Sequence, residues 1–419
     1  MRAAQTNKEF NSNLMKLLTG TTIAYGLPVA VSPILTRMYS PEEFGVVQLF
    51  IAITATLGSI ANARYDLSVV LPEKDEDAIQ LTALGVLISA VFSLFLFGII
   101  LAFHGPILKL FNNESLSFWL YFVPVAVFLI GLFNMLNFLN TRIKAFDNIA
   151  KGNVMKSVAL VSVQLVAGFF KVGAGGLVAG QLASHLFGNT KLLTRVFSEF
   201  KGMFRIDRSE MKRLAKHYSQ FPKYSMASIL ANNLSNHLIS IVVSALYSVA
   251  TLGFYSLVQR VLGMPSSLIG KSMSQVFYQK ASAEKNETGQ AVHAFDSTLK
   301  KMLLLAIPGF TLMFFVVDEV VTFVFGENWK TVGEYAKLLM PLFAIRFVVV
   351  PLTVVNSIFY KENVSMIWQF GLLALSLVVF GFVWLTSLSV ETLFILYSSV
   401  ISTYYVLFLF LLRRYSKGE

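Results

Sequence analysis

Two arginines stand inside long apolar runs, where charge is expensive. Arg346 sits between Phe343 and Phe347, with Pro341 and Pro351 on either side. Arg260 lies seven residues after Gly253, about 10 Å along a helix at ~1.5 Å per residue. A cation in mid-membrane costs roughly 2.5–3.5 kcal/mol on insertion scales and normally faces a bundle interior or a wet cavity. Arg64 and Lys271 lie nearer helix ends, where a long side chain can snorkel to the surface. Asp66, two residues from Arg64, is the one acid of 23 expected inside a crossing. An interior rich in cations and poor in acids suits an anionic ligand such as a phosphate or pyrophosphate. Arginine meets such groups in a planar, bidentate geometry. These four basic residues are the substrate-site candidates. Asp66, His185 and His237 are the candidates for a gate or for ion coupling. Histidine titrates near neutral pH, although a packed, satisfied histidine is the plainer reading of each.

Signals for catalysis are missing. The chain has no cysteine, which excludes disulfides, thiolate metal sites and a cysteine nucleophile. It has no Walker motif, no Gly-x-Ser-x-Gly and no His/Glu cluster at metal spacing. The run Lys171-Val-Gly-Ala-Gly-Gly reads as a short turn between helices. The sequence therefore calls for no cofactor and no enzyme activity, and any pumping must draw on an ion gradient or on the gradient of the cargo.

These residues need a scaffold, and the composition supplies its class. Of 419 residues, 55% are hydrophobic and only 14% charged, against about 25% charged in soluble domains. The excess comes in runs of roughly 20 residues, the length of a bilayer-spanning helix. Backbone groups in lipid must be satisfied internally, so runs of this length imply an all-α polytopic membrane protein. We read twelve crossings, from 14–36 to 392–412. An even number puts both termini on one side. Of 34 basic residues, only Arg37, Lys109, Lys171, Lys330 and Lys337 fall on the other side. That asymmetry places the termini in the cytoplasm. It also accounts for the net charge of +11 without nucleic acid.

Some connections carry information. The first crossing contains Gly20, Gly26, Pro28 and Pro33, which fits either a static kink or a helix that changes shape. The longest connection, Arg195 to Lys223, includes Arg205, Arg208, Lys212 and Arg213. Met211, Leu214 and Tyr218 follow helical spacing there, and an amphipathic helix on the inner leaflet is expected. Gln279 to Lys301 reads as a solvated polar loop. Asn134, Asn137 and Asn140 recur every third residue, and Asn232, Asn233 and Asn236 cluster. Such amides can bond between helices or face sugar hydroxyls, with packing the default.

An internal repeat organises the whole. Ser40-Pro41-x-Glu43 is a capping box that starts the second crossing, expected to run to Leu71-Pro72. Tyr39-Ser40 with Gly45 returns as Tyr247-Ser248 with Gly253. Thr251 replaces the glutamate, so the second box is incomplete. The same offset sets Arg64 against Ser272, beside Lys271. Two lobes of six helices follow, 1–200 and 220–419, joined by the amphipathic linker 201–219. With an even number of crossings each, the lobes share one orientation, leaving a central cleft that rocking can open alternately to either side.

The residues Tyr39-Ser40-Pro41-Glu42-Glu43-Phe44-Gly45, with Arg64-Tyr65-Asp66-Leu67 and Leu71-Pro72-Glu73-Lys74-Asp75-Glu76-Asp77-Ala78, resemble the bacterial polysaccharide-transporter family. These are the oligosaccharide flippases of O-antigen and capsule synthesis, in the superfamily (MOP) of the multidrug/toxin exporters and lipid II flippases. The resemblance implies a MATE-like fold. It implies a flippase that carries an undecaprenyl-pyrophosphate-linked oligosaccharide across the bacterial inner membrane, coupled to a proton or sodium gradient. It also implies surrounding membrane lipids and, as partners, a polysaccharide polymerase and chain-length protein. Arg64 and Asp66 match the family's second-helix pattern. Arg260, Lys271 and Arg346 rest on its general pattern of a cationic lumen. The first crossing lacks the buried arginine of a lipid II flippase, and twelve crossings rather than fourteen also depart from that branch. A multidrug/toxin exporter on the same fold is the alternative, but it would want an acidic cavity. A membrane polymerase or glycosyltransferase would want a large outer loop with carboxylates, and Glu42 and Glu43 are explained by capping.

Overall fold

The computed structural model describes residues 2–111, 114–201 and 206–418, so Arg205 of the linker lies outside the described residues. Among them the chain is all-helical, without a strand. In order the helices are α1 (Arg2–Met38), α2 (Pro41–Gly58), α3 (Asp75–Phe111), α4 (Ser117–Leu120), α5 (Val123–Arg142), α6 (Phe146–Phe169), α7 (Ala174–Glu199), α8 (Arg208–His217), α9 (Met226–Leu246), α10 (Val249–Pro265), α11 (Lys271–Thr288), α12 (Val292–Phe325), α13 (Thr331–Val349), α14 (Val355–Ile358), α15 (Glu362–Thr386) and α16 (Val390–Ser416). Each of the twelve expected crossings is occupied by a helix. Eight helical spans among the described residues are long and apolar enough to cross a bilayer on those grounds alone. The chain forms two compact units, Met1–His237 and Leu238–Glu419.

In the first unit, small residues bring helices together. A Cβ on Gly20 would lie 2.7 Å from that of Ala150, so α1 and α6 meet almost backbone to backbone. Pro28 cannot donate to the carbonyl of Ala24 one turn earlier. Ser157 of α6 donates its hydroxyl to that carbonyl instead. The carbonyl that Pro28 leaves free is thus satisfied by a neighbouring helix in this conformation.

The repeated tyrosine has one job in both units. The Tyr39 hydroxyl donates to the Gln164 carbonyl of α6 at 2.6 Å. The Tyr247 hydroxyl donates to the Leu388 carbonyl at 2.9 Å, before α16. Each phenol fixes the turn that leads into the next helix. The capping box is complete at Ser40. Its Oγ accepts from the Glu43 amide at 3.3 Å, and the Glu43 carboxylate accepts from the Ser40 amide at 2.7 Å. Ser248 accepts from the Thr251 amide at 3.0 Å, without the reciprocal bond. Replacing Ser40 with alanine is expected to cost about 1 kcal/mol, read as a lower Tm of the purified protein. Ser248→Ala is expected to cost less.

Three local expectations are corrected. First, α2 ends at Gly58, not near Leu71. Gly58 lies against Ile130, where any Cβ would sit 2.7 Å from Ile130 Cγ2. The chain then turns through Ala63 and Arg64, both at positive φ, into a 3-10 turn, Tyr65–Val70. Second, the linker helix α8 does form, capped by Asp207 on the Ser209 amide at 2.7 Å. Its apolar face meets protein rather than lipid. Met211 and Leu214 are buried, and Leu214 joins a core with Tyr65, Ala78, Leu81 and Phe200. The Tyr65 hydroxyl donates to the Ala215 carbonyl at 3.0 Å, and Arg213 pairs with Asp77 at 3.0 Å. Third, 279–301 is largely helical. α11 and α12 are separated by a short break with Gly289 at φ 77°. The Glu284 carboxylate accepts from the His293 and Ala294 amides at 2.9 and 2.7 Å, capping α12.

Candidate functional site

The second unit gathers aromatic hydroxyls around Arg346. This residue is on the last turn of α13. Its guanidinium carbon lies 5.9 Å from the centre of the Tyr405 ring, within cation–π range. It is also hydrogen-bonded to the Tyr405 hydroxyl, and Tyr255 and Tyr397 stand close by. Gln259 donates to the Tyr255 oxygen at 2.8 Å, and Tyr397 is bonded to Ser376. The rings are held by stacking, Tyr255 on Phe394 at 5.7 Å and Tyr397 on Phe380 at 5.4 Å. Four helices, α10, α13, α15 and α16, thus fix one arginine. Phenols stabilise its charge without neutralising it, which is what a preformed anion site requires. The flanking phenylalanines that mark Arg346 in the sequence pack into the core, with Phe347 against Phe310 at 5.8 Å.

The other expected residues are placed separately. Arg260 is half-buried on α10, five residues after Tyr255. Lys271 is exposed at the start of α11, just after the π-helical turn Ser266–Gly270. Arg64 is not in a helix. It follows the end of α2 in the left-handed region, and its Nη1 lies 3.3 Å from Asp66 Oδ2. Asp66 is buried at 1% exposure, with Oδ1 lacking a hydrogen-bond partner, as do Arg64 Nε and Asn62 Nδ2. Arg64 and Lys271 therefore share a position after a break in the second helix of their repeats, but Arg64 is held by its own carboxylate. His237, on α9, is half-buried with Nδ1 unbonded.

The first unit has a partly open cavity of about 260 Å³ that His185 lines. Its polar residues are Thr54 and Ser59 of the α2 segment, Asn134 of α5, and Gln181 and His185 of α7, and it contains no carboxylate. His185 Nδ1 and Asn137 Oδ1 are buried without partners. Lys156 of α6 stands within electrostatic reach of His185, with its ammonium 3.9 Å from the centre of the Phe133 ring. Among the described residues it has no ion pair. Sequence reasoning passed over Lys156 as one of the basic residues at inner helix ends. Its signal was present: it lies ten residues into α6, ahead of an apolar stretch. The asparagine ladder divides. Asn140 is packing, donating to the Leu136 carbonyl at 2.8 Å and accepting from Asn148 at 2.8 Å. Asn134 faces the cavity. Asn233 and Asn236 bond within their own helix.

Asp66 is not alone among acids in the helical bundle. α12 runs on to Phe325 and carries Asp318, which pairs with Lys337 of α13.

Comparison with solved structures places the fold. The lipid II flippase MurJ in an inward closed conformation superposes with a TM-score of 0.74 at 11% identity, over 95% of this chain and 86% of that one. An inward-facing multidrug resistance MATE family transporter of the MOP superfamily gives 0.69 at 14%, over 95% and 94%. A MOP superfamily transporter from Pyrococcus furiosus gives 0.63 at 13%, over 96% and 95%. The chain therefore has the fold of the MOP-superfamily transporters. A family model described as "Polysaccharide biosynthesis protein" matches residues 34–334, and the chain belongs to that family. No curated protein matches it.

Proposed function

We propose that this protein is a flippase that moves an undecaprenyl-pyrophosphate-linked oligosaccharide from the cytoplasmic to the outer leaflet of the bacterial inner membrane. The observation that carries this reading is membership of a polysaccharide biosynthesis family on a fold shared with a lipid II flippase. The charge chemistry agrees with it. A lipid pyrophosphate needs cations held ready inside the bundle, and Arg346 in its phenol cage supplies one. Arg260 is the second pyrophosphate ligand, and Arg64 and Lys271 guide the headgroup at the inner ends. The lobes 1–200 and 220–419, joined by 201–219, rock about a central cleft, with both termini in the cytoplasm. Asp66, His185 and His237 are the coupling candidates for a proton or sodium ion. A polymerase and a chain-length protein receive the product.

The deciding experiment is gene deletion followed by analysis of lipid-linked sugars. Undecaprenyl-linked oligosaccharide should accumulate at least tenfold on the cytoplasmic face, and the plasmid-borne gene should clear it. A deletion strain with normal lipid-linked sugars and a new sensitivity to cationic dyes would overturn the reading in favour of an exporter.

A further inference from the structure

The second unit carries a groove on its outer surface that the transport reading does not use. α12 and α16 both pack on α13 and touch each other little. The gap between them holds two adjoining concavities of about 610 and 310 Å³. Leu303, Ile307 and Leu409 belong to both, so the two form one channel. Val348 and Val349 of α13 contribute to its lining farther along. At one end stand Asp296, Lys300 and Arg413. Arg413 grips Asp296 in a fork, with Nε to Oδ1 at 3.0 Å and Nη2 to Oδ2 at 2.9 Å. Lys300, one turn further along α12, is exposed and has no ion pair among the described residues. The fork is internally neutral, so among the residues that line this mouth Lys300 supplies the uncompensated positive charge.

The geometry points to a bound anionic glycerophospholipid, its phosphodiester at Lys300 beside the Arg413 fork and one acyl chain along the groove. Two quantities select this occupant. The apolar lining runs on α12 from Leu299 to Phe310, about 16 Å at ~1.5 Å per residue. Half of a hydrocarbon core of about 30 Å is ~15 Å, the depth of one leaflet and hence of one acyl chain. A polyprenyl chain is far longer and would leave most of its length outside. The second quantity is charge. The mouth is net positive, with Lys300 uncompensated in its lining, and basic pockets between helices on the cytoplasmic side are where anionic headgroups bind. Lys300, Lys301, Arg413 and Arg414 all lie at this end, the end that the distribution of basic residues places in the cytoplasm. The lipid would wedge α12 against α16 and hold the second unit as one body.

The test uses the whole protein in nanodiscs of equal phosphatidylglycerol and phosphatidylcholine, released into mild detergent and weighed by native mass spectrometry. Wild type should retain one phosphatidylglycerol. Ile307→Trp, which fills the groove, and Lys300→Ala, which removes the charge, should each lower that retention at least fivefold. Leu94→Trp, on an exposed site of α3, should leave it unchanged. All three sites of substitution are exposed, and monodispersity on size exclusion checks folding. Equal retention of phosphatidylcholine would mean ordinary annular lipid and overturn the proposal. So would displacement of the lipid by equimolar undecaprenyl pyrophosphate, which would make the groove a lane for the substrate tail, and so would the absence of any retained lipid.

Discussion

Arg346→Met should slow translocation of lipid-linked oligosaccharide by about 10–100-fold in proteoliposomes while the protein stays folded. A charge-assisted hydrogen bond contributes roughly 1.5–3 kcal/mol, and each ~1.4 kcal/mol is a factor of ten in rate or affinity. Methionine is the informative replacement. It fills much of the space inside the ring of Tyr255, Tyr397 and Tyr405, so the loss reads out charge rather than a cavity. Arg346→Lys keeps the charge but lacks the planar fork, and should recover part of the rate. Arg260→Ala should add to the defect, because the two arginines are the proposed pyrophosphate ligands. The measurements are initial translocation rates and the Tm of each purified variant. A folded Arg346→Met, Arg260→Ala double variant that moves lipid-linked sugar at the normal rate would sink the anion-site assignment.

Much of the scaffold was legible in the sequence because membranes impose simple rules. Runs near 20 residues had to be helices, and each expected crossing holds one. Ser40, Pro41 and Glu43 specified a capping box, and it formed with both bonds. Helix ends inside the bundle were not legible. Nothing in the apolar run after Gly58 says that Ile130 will press on that glycine, yet this contact accompanies the end of α2 and the left-handed turn at Ala63 and Arg64. The linker helix α8 was visible from its periodicity, but periodicity shows only that one face is apolar. The partner of that face was hidden, because the core formed by Tyr65, Leu81 and Leu214 joins residues far apart in sequence.

The candidate site shows the same division. Charge inside an apolar run drew the eye to Arg346, and the structure adds what sequence could not: three tyrosines converging from α10 and α16. Arg64 drew the eye for the same reason, but its pairing with Asp66 makes it the more structural of the two. Lys156 escaped notice because a basic residue in the inner half of a crossing is ordinary under the positive-inside rule. Its distinction is tertiary. The lysine lies on Phe133, within electrostatic reach of His185, which lines a cavity without carboxylates.

That environment gives Lys156→Met two effects of opposite sign. A charge without a carboxylate partner, drawn out of water, costs the fold free energy, while its cation–π contact with Phe133 returns only about 0.5–2 kcal/mol. Methionine has a similar length and no charge. We expect Lys156→Met to stabilise the protein by about 1 kcal/mol, seen as a higher Tm, and to reduce translocation at least tenfold. Stability given up for function is the pattern of a working site. Gly188→Ala tests the same residue without touching its charge. A Cβ at position 188 would come 2.4 Å from Lys156 Cγ and 3.2 Å from Phe133 Cε2, so the contact between the lysine and Phe133 must rearrange. The alanine variant should lose rate as Lys156→Met does, but without the gain in Tm, because the charge remains. If Lys156→Met instead lowered Tm and left the rate intact, the lysine would be a packing residue, and the first unit would contribute its polar cavity to the substrate path without a cation.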